Sequence, residues 1–479
     1  MYRNHTSLSW ALGLFFGWLL FFPFHGPAVL AWEEAVPAYL NYSTYFAVSH
    51  AFSFLLLGVV LPVKINWQKA MPWCASFCLF LTLFFVLPVV SGNQVLINIL
   101  FVLMGVASAA YILGWILPYS LFLNGPHRTS FMALVIIKSN VIYLLFNLAT
   151  GFLPVEMIMI GLAIPLIGAA VASARIDKIN PAVPIPRPHD NQKFSAAFLV
   201  LLCLFVFGVF LSGGLMYSII HPTFSSFADV SLIFRSAPYI LVLILLLWKA
   251  TRSNDQFIVY LGISLLGLSY VFFALLADSF AGYLITESLI QSAFAILDLF
   301  LWVLLADFAL FYGHPYRVFG WGLFANVGAV VAGGFVGVYL WQLGDIYIFF
   351  TALIAMGAIF LSLVVVPPLF KGMEERSVSP DEAKKENGET DWEEILEQMV
   401  EQVPGTQPLT PREKEIAKLL LQGNTNKEIA SFLFISDNTL KTHIRNVYRK
   451  LEVSQKRELL SMALGNTRTP ENNNLSPPG

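Results

Sequence analysis

Charge is what this sequence has least of. Only 12% of its 479 residues are Asp, Glu, Lys or Arg, while 57% are hydrophobic. An ordinary soluble chain carries about twice that charged share, so a water-soluble globule and a disordered polar chain are both excluded. Cysteine is nearly absent as well. Cys74, Cys78 and Cys203 all lie in apolar blocks, so no disulfide framework is implied. Cys74 and Cys78 are four apart and share a helix face, as small core residues rather than a metal or redox pair. The chain also lacks a nucleophile–base–acid set, a phosphate-cradling glycine loop and any metal-ligand spacing. Neither an enzyme, nor a metal, nor a cofactor is expected. The first apolar block, Leu8 to Leu30, has no short core with a small-residue cleavage site, and is expected to be a retained span rather than a signal peptide.

What the chain has instead is length in its apolar runs, with a mean hydropathy of +0.70. Crossing a bilayer as a helix takes about 20 apolar residues. Twelve such spans are expected, near 8–31, 38–62, 70–90, 94–123, 129–152, 155–174, 194–220, 229–248, 256–277, 282–307, 317–341 and 346–368. Basic residues fall in alternate loops: Lys64 and Lys69, Arg128, then Arg175, Lys178, Arg187 and Lys193, then Lys249 and Arg252, Arg317, and Lys371. The other loops carry Glu33, Glu34, Glu156 or Asp278. Positive charge resists translocation, so the basic loops and both termini are expected in the cytoplasm, here of a bacterial inner membrane.

The two halves look related. Ser120-Leu-Phe-Leu-Asn-Gly-Pro-His-Arg128 closes span 4, and Ala309-Leu-Phe-Tyr-Gly-His-Pro-Tyr-Arg317 closes span 10. Gly17 and His25 in span 1 match Gly213 and His221 in span 7, and His50 aligns with Arg235. Halves 1–176 and 194–370, joined by a Pro-rich cytoplasmic loop at 177–193, would make a six-plus-six membrane domain, 1–370. This layout resembles the major facilitator fold, in which two six-helix halves meet around a central cavity. The basic Gly-Asp-Arg signature of such transporters after span 2 is replaced by Pro62-Val-Lys-Ile-Asn-Trp-Gln-Lys69, which counts against transport.

After Pro368 the composition turns polar. Residues 371–407 are expected to be a linker, with a short acidic amphipathic helix at 391–403 built on Trp392, Ile395, Leu396, Met399 and Val403. That helix could lay its apolar stripe on the next domain, pair in a dimer, or cover a basic face with its carboxylates. Residues 408–466 follow, and 467–479 are expected to be a disordered tail. In 408–466, Thr410-Pro-Arg-Glu413 and Thr425-Asn-Lys-Glu428 are capping boxes, and Ser436 and Ser454 cap two further helices. The third helix sets Leu440, Ile444, Val447 and Leu451 on one side and Lys441, Thr442, Arg445 and Arg449 on the other. Two short helices joined by a tight turn, the second with a basic outer face, are the helix-turn-helix design, whose second helix enters the major groove. Ten Lys or Arg against six acids between Pro408 and Asn466 suit a polyanion.

Leu409-Thr-Pro-Arg-Glu-Lys-Glu-Ile416, Gly423-Asn-Thr-Asn-Lys-Glu-Ile-Ala430, Ile435-Ser436, Thr439-Leu-Lys-Thr-His443, Asn446 and Lys450-Leu451 closely resemble the LuxR-type helix-turn-helix. That resemblance implies double-stranded DNA as partner and a homodimer pairing through the fourth helix. It implies Lys441, Thr442 and Arg445 at the bases, with Lys427, Thr439, His443 and Lys450 holding the DNA backbone or the turn. Leu440 stands where Val is commoner. The whole layout also resembles a group of membrane-bound LuxR-type regulators. No receiver domain precedes the helix-turn-helix, so phosphotransfer activation is not expected.

Ionisable groups inside the bilayer point to a site, because each costs about 3 kcal/mol or more to bury there. Lys138, Arg235, Glu287 and Asp298 are the candidates to line a central cavity for a small-molecule ligand, or else to form a structural ion pair. The expected fold is all-α: a polytopic membrane bundle followed by a four-helix DNA-binding domain. The expected function is a membrane-embedded one-component regulator that senses a small molecule. The alternative is a secondary transporter with a fused regulatory tail.

Overall fold

A computed structural model describes residues 2–24, 26, 29, 42–60, 67–87, 93–122, 125–176, 196–227, 230, 233–249, 255–277, 279–312, 314–377, 396–397, 399–400, 408–421, 424, 426, 429–430, 433, 435–456, 458–459 and 462–463. The central loop 177–193, the tail 467–479, most of the linker, His25, Lys427 and most of the second capping box lie outside them. The chain divides into two compact units, one of residues 3–372 and a second holding residues 373–479. No strand occurs among the described residues.

Among the described residues of the first unit, helices lie in each of the twelve windows anticipated above. They are α1 (Tyr2–Phe21), α2 (Tyr42–Leu55, continued by a π-helical turn Leu56–Val60), α3 (Trp67–Phe84), α4 (Gln94–Phe122), α5 (Gly125–Ala149) and α6 (Val155–Gly161 and Ala163–Ala174). The second half repeats the count. It comprises α7 (Ala196–Leu215, continued by a π-helical turn Met216–Ile220 and His221–Thr223), α8 (Ala237–Lys249), α9 (Asp255–Leu276), α10 (Phe280–Tyr312), α11 (Pro315–Trp341) and α12 (Tyr347–Ser377). Among the described residues, nine of these are long and apolar enough to cross a membrane, and His5–Phe21 and Ala237–Trp248 are shorter apolar helices. Of the nine, α10 is the most enclosed, with 72% of its most apolar window buried, and α12 the least, at 33%. The first is therefore central and the second peripheral. Side chains such as Phe349, Leu353, Phe360 and Val364 on α12 stay exposed, as a lipid-facing surface requires.

Hydrogen bonds that need no water fasten the helices. Trp115 Nε1 donates to the Leu8 carbonyl at 2.9 Å, Trp18 Nε1 to Thr82 Oγ1 at 3.1 Å, and the Tyr270 hydroxyl to the Ser212 carbonyl at 2.7 Å. The two halves meet backbone to backbone where Gly58 faces Gly320. A Cβ on Gly58 would lie 2.8 Å from the Tyr316 carbonyl oxygen, and one on Gly320 would lie 2.9 Å from that of Phe54. Arg128 of α5 also donates to Asp307 of α10, across the halves. Between that pair and the mid-body, Trp302 of α10 packs edge-on to Trp115 with centroids 5.8 Å apart, and meets Phe16 at 5.6 Å.

In the second unit, α13 (Pro411–Leu421) starts where the first capping box predicts. The Thr410 N–H donates to Glu413 Oε2 at 2.8 Å and the Glu413 N–H to Thr410 Oγ1 at 3.3 Å. In α14 (Asp437–Lys450), Ser436 Oγ accepts the Thr439 N–H at 3.1 Å. Its last turn closes through Glu452, at φ 52°, with the Val453 N–H donating to the Tyr448 carbonyl at 2.9 Å. One hydrophobic core joins Ile416, Leu420, Leu440, Val447, Leu451 and Leu459, and it also takes in Leu396 and Met399 of the linker. Of the three roles open to the acidic segment, its apolar stripe thus serves the domain that follows it. Glu397 pairs with Lys414 at 2.9 Å, at an exposed site where such a pair is worth under about 1 kcal/mol.

Candidate functional site

Two sites emerge, one in each unit. On α14, Leu440, Ile444 and Val447 face the core, so the 3.6-residue period turns Lys441, Thr442 and Arg445 outward, all exposed. Thr442 Oγ1 donates to the Asn438 carbonyl at 3.1 Å, which fixes its rotamer and leaves its lone pairs outward. Thr439 works at the cap, its hydroxyl 2.8 Å from Ser436 Oγ. His443 is half-buried. Lys450 makes bonds within the domain. Its ammonium donates to Glu413 Oε2 at 2.7 Å and to the Pro408 carbonyl at 3.0 Å, tying the end of α14 to the start of α13. Burial would raise the Glu413 carboxyl, but the Lys450 and Thr410 hydrogen bonds outweigh it and hold the group below its ordinary range. Sequence reasoning did not assign a site role to Arg449, which shares a depression with Lys441, Arg445, Tyr448, Asn426 and Ser454. Its spacing of four from Arg445 was the available signal.

In the first unit a cavity of about 230 Å³ lies between the halves. His50, Asn140 and Tyr143 line it from the first half, and Tyr217, Arg235 and Asp298 from the second. The π-helical turn at the end of α7 sits in this wall, and Met216, Tyr217 and His221 all reach the cavity. Of the four predicted groups, Arg235 and Asp298 line it together. Glu287 is fully buried beside it, 3.3 Å from His221 Nε2 and bonded by Gln291 Nε2 at 2.8 Å. Lys138 does not join them. It lies on the α1 face of α5, where Nζ donates to Ser9 Oγ at 2.7 Å and sits 4.2 Å from the centroid of the Trp10 ring. Its depth along the helix was legible in the sequence, but its azimuth points at α1, not at the cavity. His221 was noticed only as a repeat position, and Tyr239, whose hydroxyl donates to Asp298 Oδ2 at 2.7 Å, was missed. Tyr239 is four residues beyond Arg235, in the first turn of α8, and lines the same cavity. Among the described residues no cluster of His, Cys, Asp and Glu could hold a metal ion.

Comparison with known proteins separates the two units. The profile of the bacterial regulatory proteins of the luxR family matches residues 407–463. Over 60 residues the chain is 48% identical to the CsgBAC operon transcriptional regulatory protein of Escherichia coli K12, covering 12% of this chain and 28% of that one. It is 37% identical over 76 residues to the transcriptional regulator MalT of Vibrio cholerae, covering 15% of this chain and 8% of that one. The chain therefore spans a small part of the curated relatives it matches. The body is similar in fold to the human organic anion transporter MFSD10 (TETRAN), with a TM-score of 0.55, 15% identity, and coverage of 75% of this chain and 99% of that one. It is similar also to the major facilitator superfamily transporter FucP in the outward conformation, with a TM-score of 0.54, 12% identity, and coverage of 78% and 99%. Residues 407–463 are a LuxR-type helix-turn-helix domain, carried by a chain whose helical body has the major facilitator fold.

Proposed function

We propose that this chain is a membrane-embedded, one-component transcriptional regulator. Its body binds a small molecule, and its C-terminal domain binds double-stranded DNA. The observation that carries the reading is one chain holding both an exposed Lys441–Thr442–Arg445 face and a cavity between two halves that contains ionisable side chains. The working divisions are a membrane domain 1–370, a linker 371–407, a DNA-binding domain 408–466 and a tail 467–479. The basic loops favour a bacterial cytoplasmic membrane with both termini inside, and the LuxR-type likeness favours a homodimer through the fourth helix. A ligand that prefers one arrangement of the halves shifts their equilibrium, by its differential affinity alone, and the linker passes that bias to the DNA-binding domain. Binding, rather than catalysis, is the chemistry of both sites.

The test is a promoter reporter with the body exchanged for an unrelated membrane anchor. Loss of regulated output with retained DNA binding supports sensing, and unchanged regulation reduces the body to a tether. The shared fold favours a second reading, a secondary transporter with a regulatory tail. Uptake into vesicles by the chain without residues 371–479 would support it.

A further inference from the structure

Several polar groups around the cavity pair with one another, although Glu287 Oε2 has no hydrogen-bond partner among the described residues. Tyr239 donates to Asp298, and Gln291 donates to Glu287, which lies beside His221. Arg235 differs. A guanidinium offers five N–H donors in a planar fork. The hydrogen bond that engages it goes to the Tyr143 hydroxyl, which brings no charge to match it. No carboxylate among the described residues lies within ion-pair distance of Arg235. Glu287 acts on Arg235 by charge from beyond ion-pair distance. A guanidinium with no carboxylate in direct contact, in the wall of a cavity between membrane helices, is expensive, and its fork fits a carboxylate with two parallel bonds.

We propose that the cavity binds a small organic carboxylate, its anionic end on Arg235 and its apolar body against Tyr143, Tyr217 and Phe294. This rests on the reading that the body binds a small molecule. The volume suits a molecule on the order of ten to fifteen non-hydrogen atoms. Tyr143 belongs to the first half and Arg235 to the second, so the carboxylate sits where the halves meet. Asp298, deeper along α10, accepts from a hydroxyl or ammonium at the far end of the ligand. A phosphate ester fits less well, because its second negative charge meets the carboxylates of Glu287 and Asp298 with one guanidinium to offset it.

The full chain in lipid nanodiscs is challenged with phenylacetate and benzoate, each beside its neutral primary amide and the phosphate ester phenyl phosphate. Thermal unfolding midpoints report binding. The carboxylates raise the midpoint of the natural protein, and the amides and phenyl phosphate do not. Arg235→Gln weakens carboxylate binding at least tenfold, while Arg235→Lys retains part of it. Retained affinity for operator DNA and an unchanged midpoint without ligand show that the variants are folded. Equal binding of acids and amides, preference for phenyl phosphate, no shift with any carboxylate, or shifts indifferent to Arg235→Gln would overturn the proposal. Sensing is read separately, as a ligand-dependent change in DNA affinity, so the ligand class and the regulatory reading fail on different measurements.

Discussion

Arg128 and Asp307 form an ion pair that joins α5 of the first half to α10 of the second, with Arg128 2% exposed and Asp307 45% exposed. It holds the halves together on the side of the body where the Gly58–Gly320 contact also lies. Losing one partner of a fully buried pair costs about 3–5 kcal/mol, and the half-exposed Asp307 reduces this to about 2 kcal/mol. Arg128→Ala and Asp307→Ala are each expected to widen the separation of spin labels placed at this end of the halves. The exchange Arg128→Asp with Asp307→Arg is expected to restore part of it. Spin-label distances in nanodiscs check this.

Lys450 and Glu413 make the DNA-binding domain sensitive to acid. The folded Glu413 carboxyl is held below its ordinary value near 4.5. A depressed group contributes stability that is present above the unfolded value and lost as pH falls through the folded one. The domain is therefore expected to weaken as pH drops below about 4.5, and Glu413→Gln should flatten that dependence. Denaturant melts of a fragment beginning at residue 391, taken at a series of pH values, give the answer.

Met399 and Leu396 lie in the same core as Ile416 and Leu440. Met399→Ala is expected to cost about 2–4 kcal/mol. A fragment beginning at residue 408 should be less stable than one beginning at 391, by a difference of the same order. Urea midpoints of the two fragments decide it. The apolar stripe at helical spacing was visible in the sequence, but what it packs on was not. An amphipathic segment states only that one face needs a cover.

That difference recurs through the molecule. Local signals were legible: the Thr410–Glu413 capping box, the Ser436 cap and the twelve apolar windows depend on residues within a turn or a span of one another. Partnerships between distant segments were not. Glu287 with His221, Asp298 with Tyr239, and Lys138 with Ser9 depend on how helices are rotated against each other. Uniformly apolar helices give little periodicity from which to read that rotation.

Glu452 closes α14 in a left-handed conformation, φ 52°, that glycine adopts at no steric cost. Glu452→Gly is expected to stabilise the domain by about 0.5–1 kcal/mol, after the added freedom of the unfolded chain is counted. The change in thermal midpoint measures it.

The most direct test of the account is the salt dependence of DNA binding by the full chain in nanodiscs, using duplexes from upstream of its own gene. The account predicts that the logarithm of the affinity falls linearly with the logarithm of the salt concentration. It also predicts that Lys441→Ala with Arg445→Ala costs at least about tenfold at fixed salt. Binding that ignores salt, or that survives the double substitution unchanged, would contradict it.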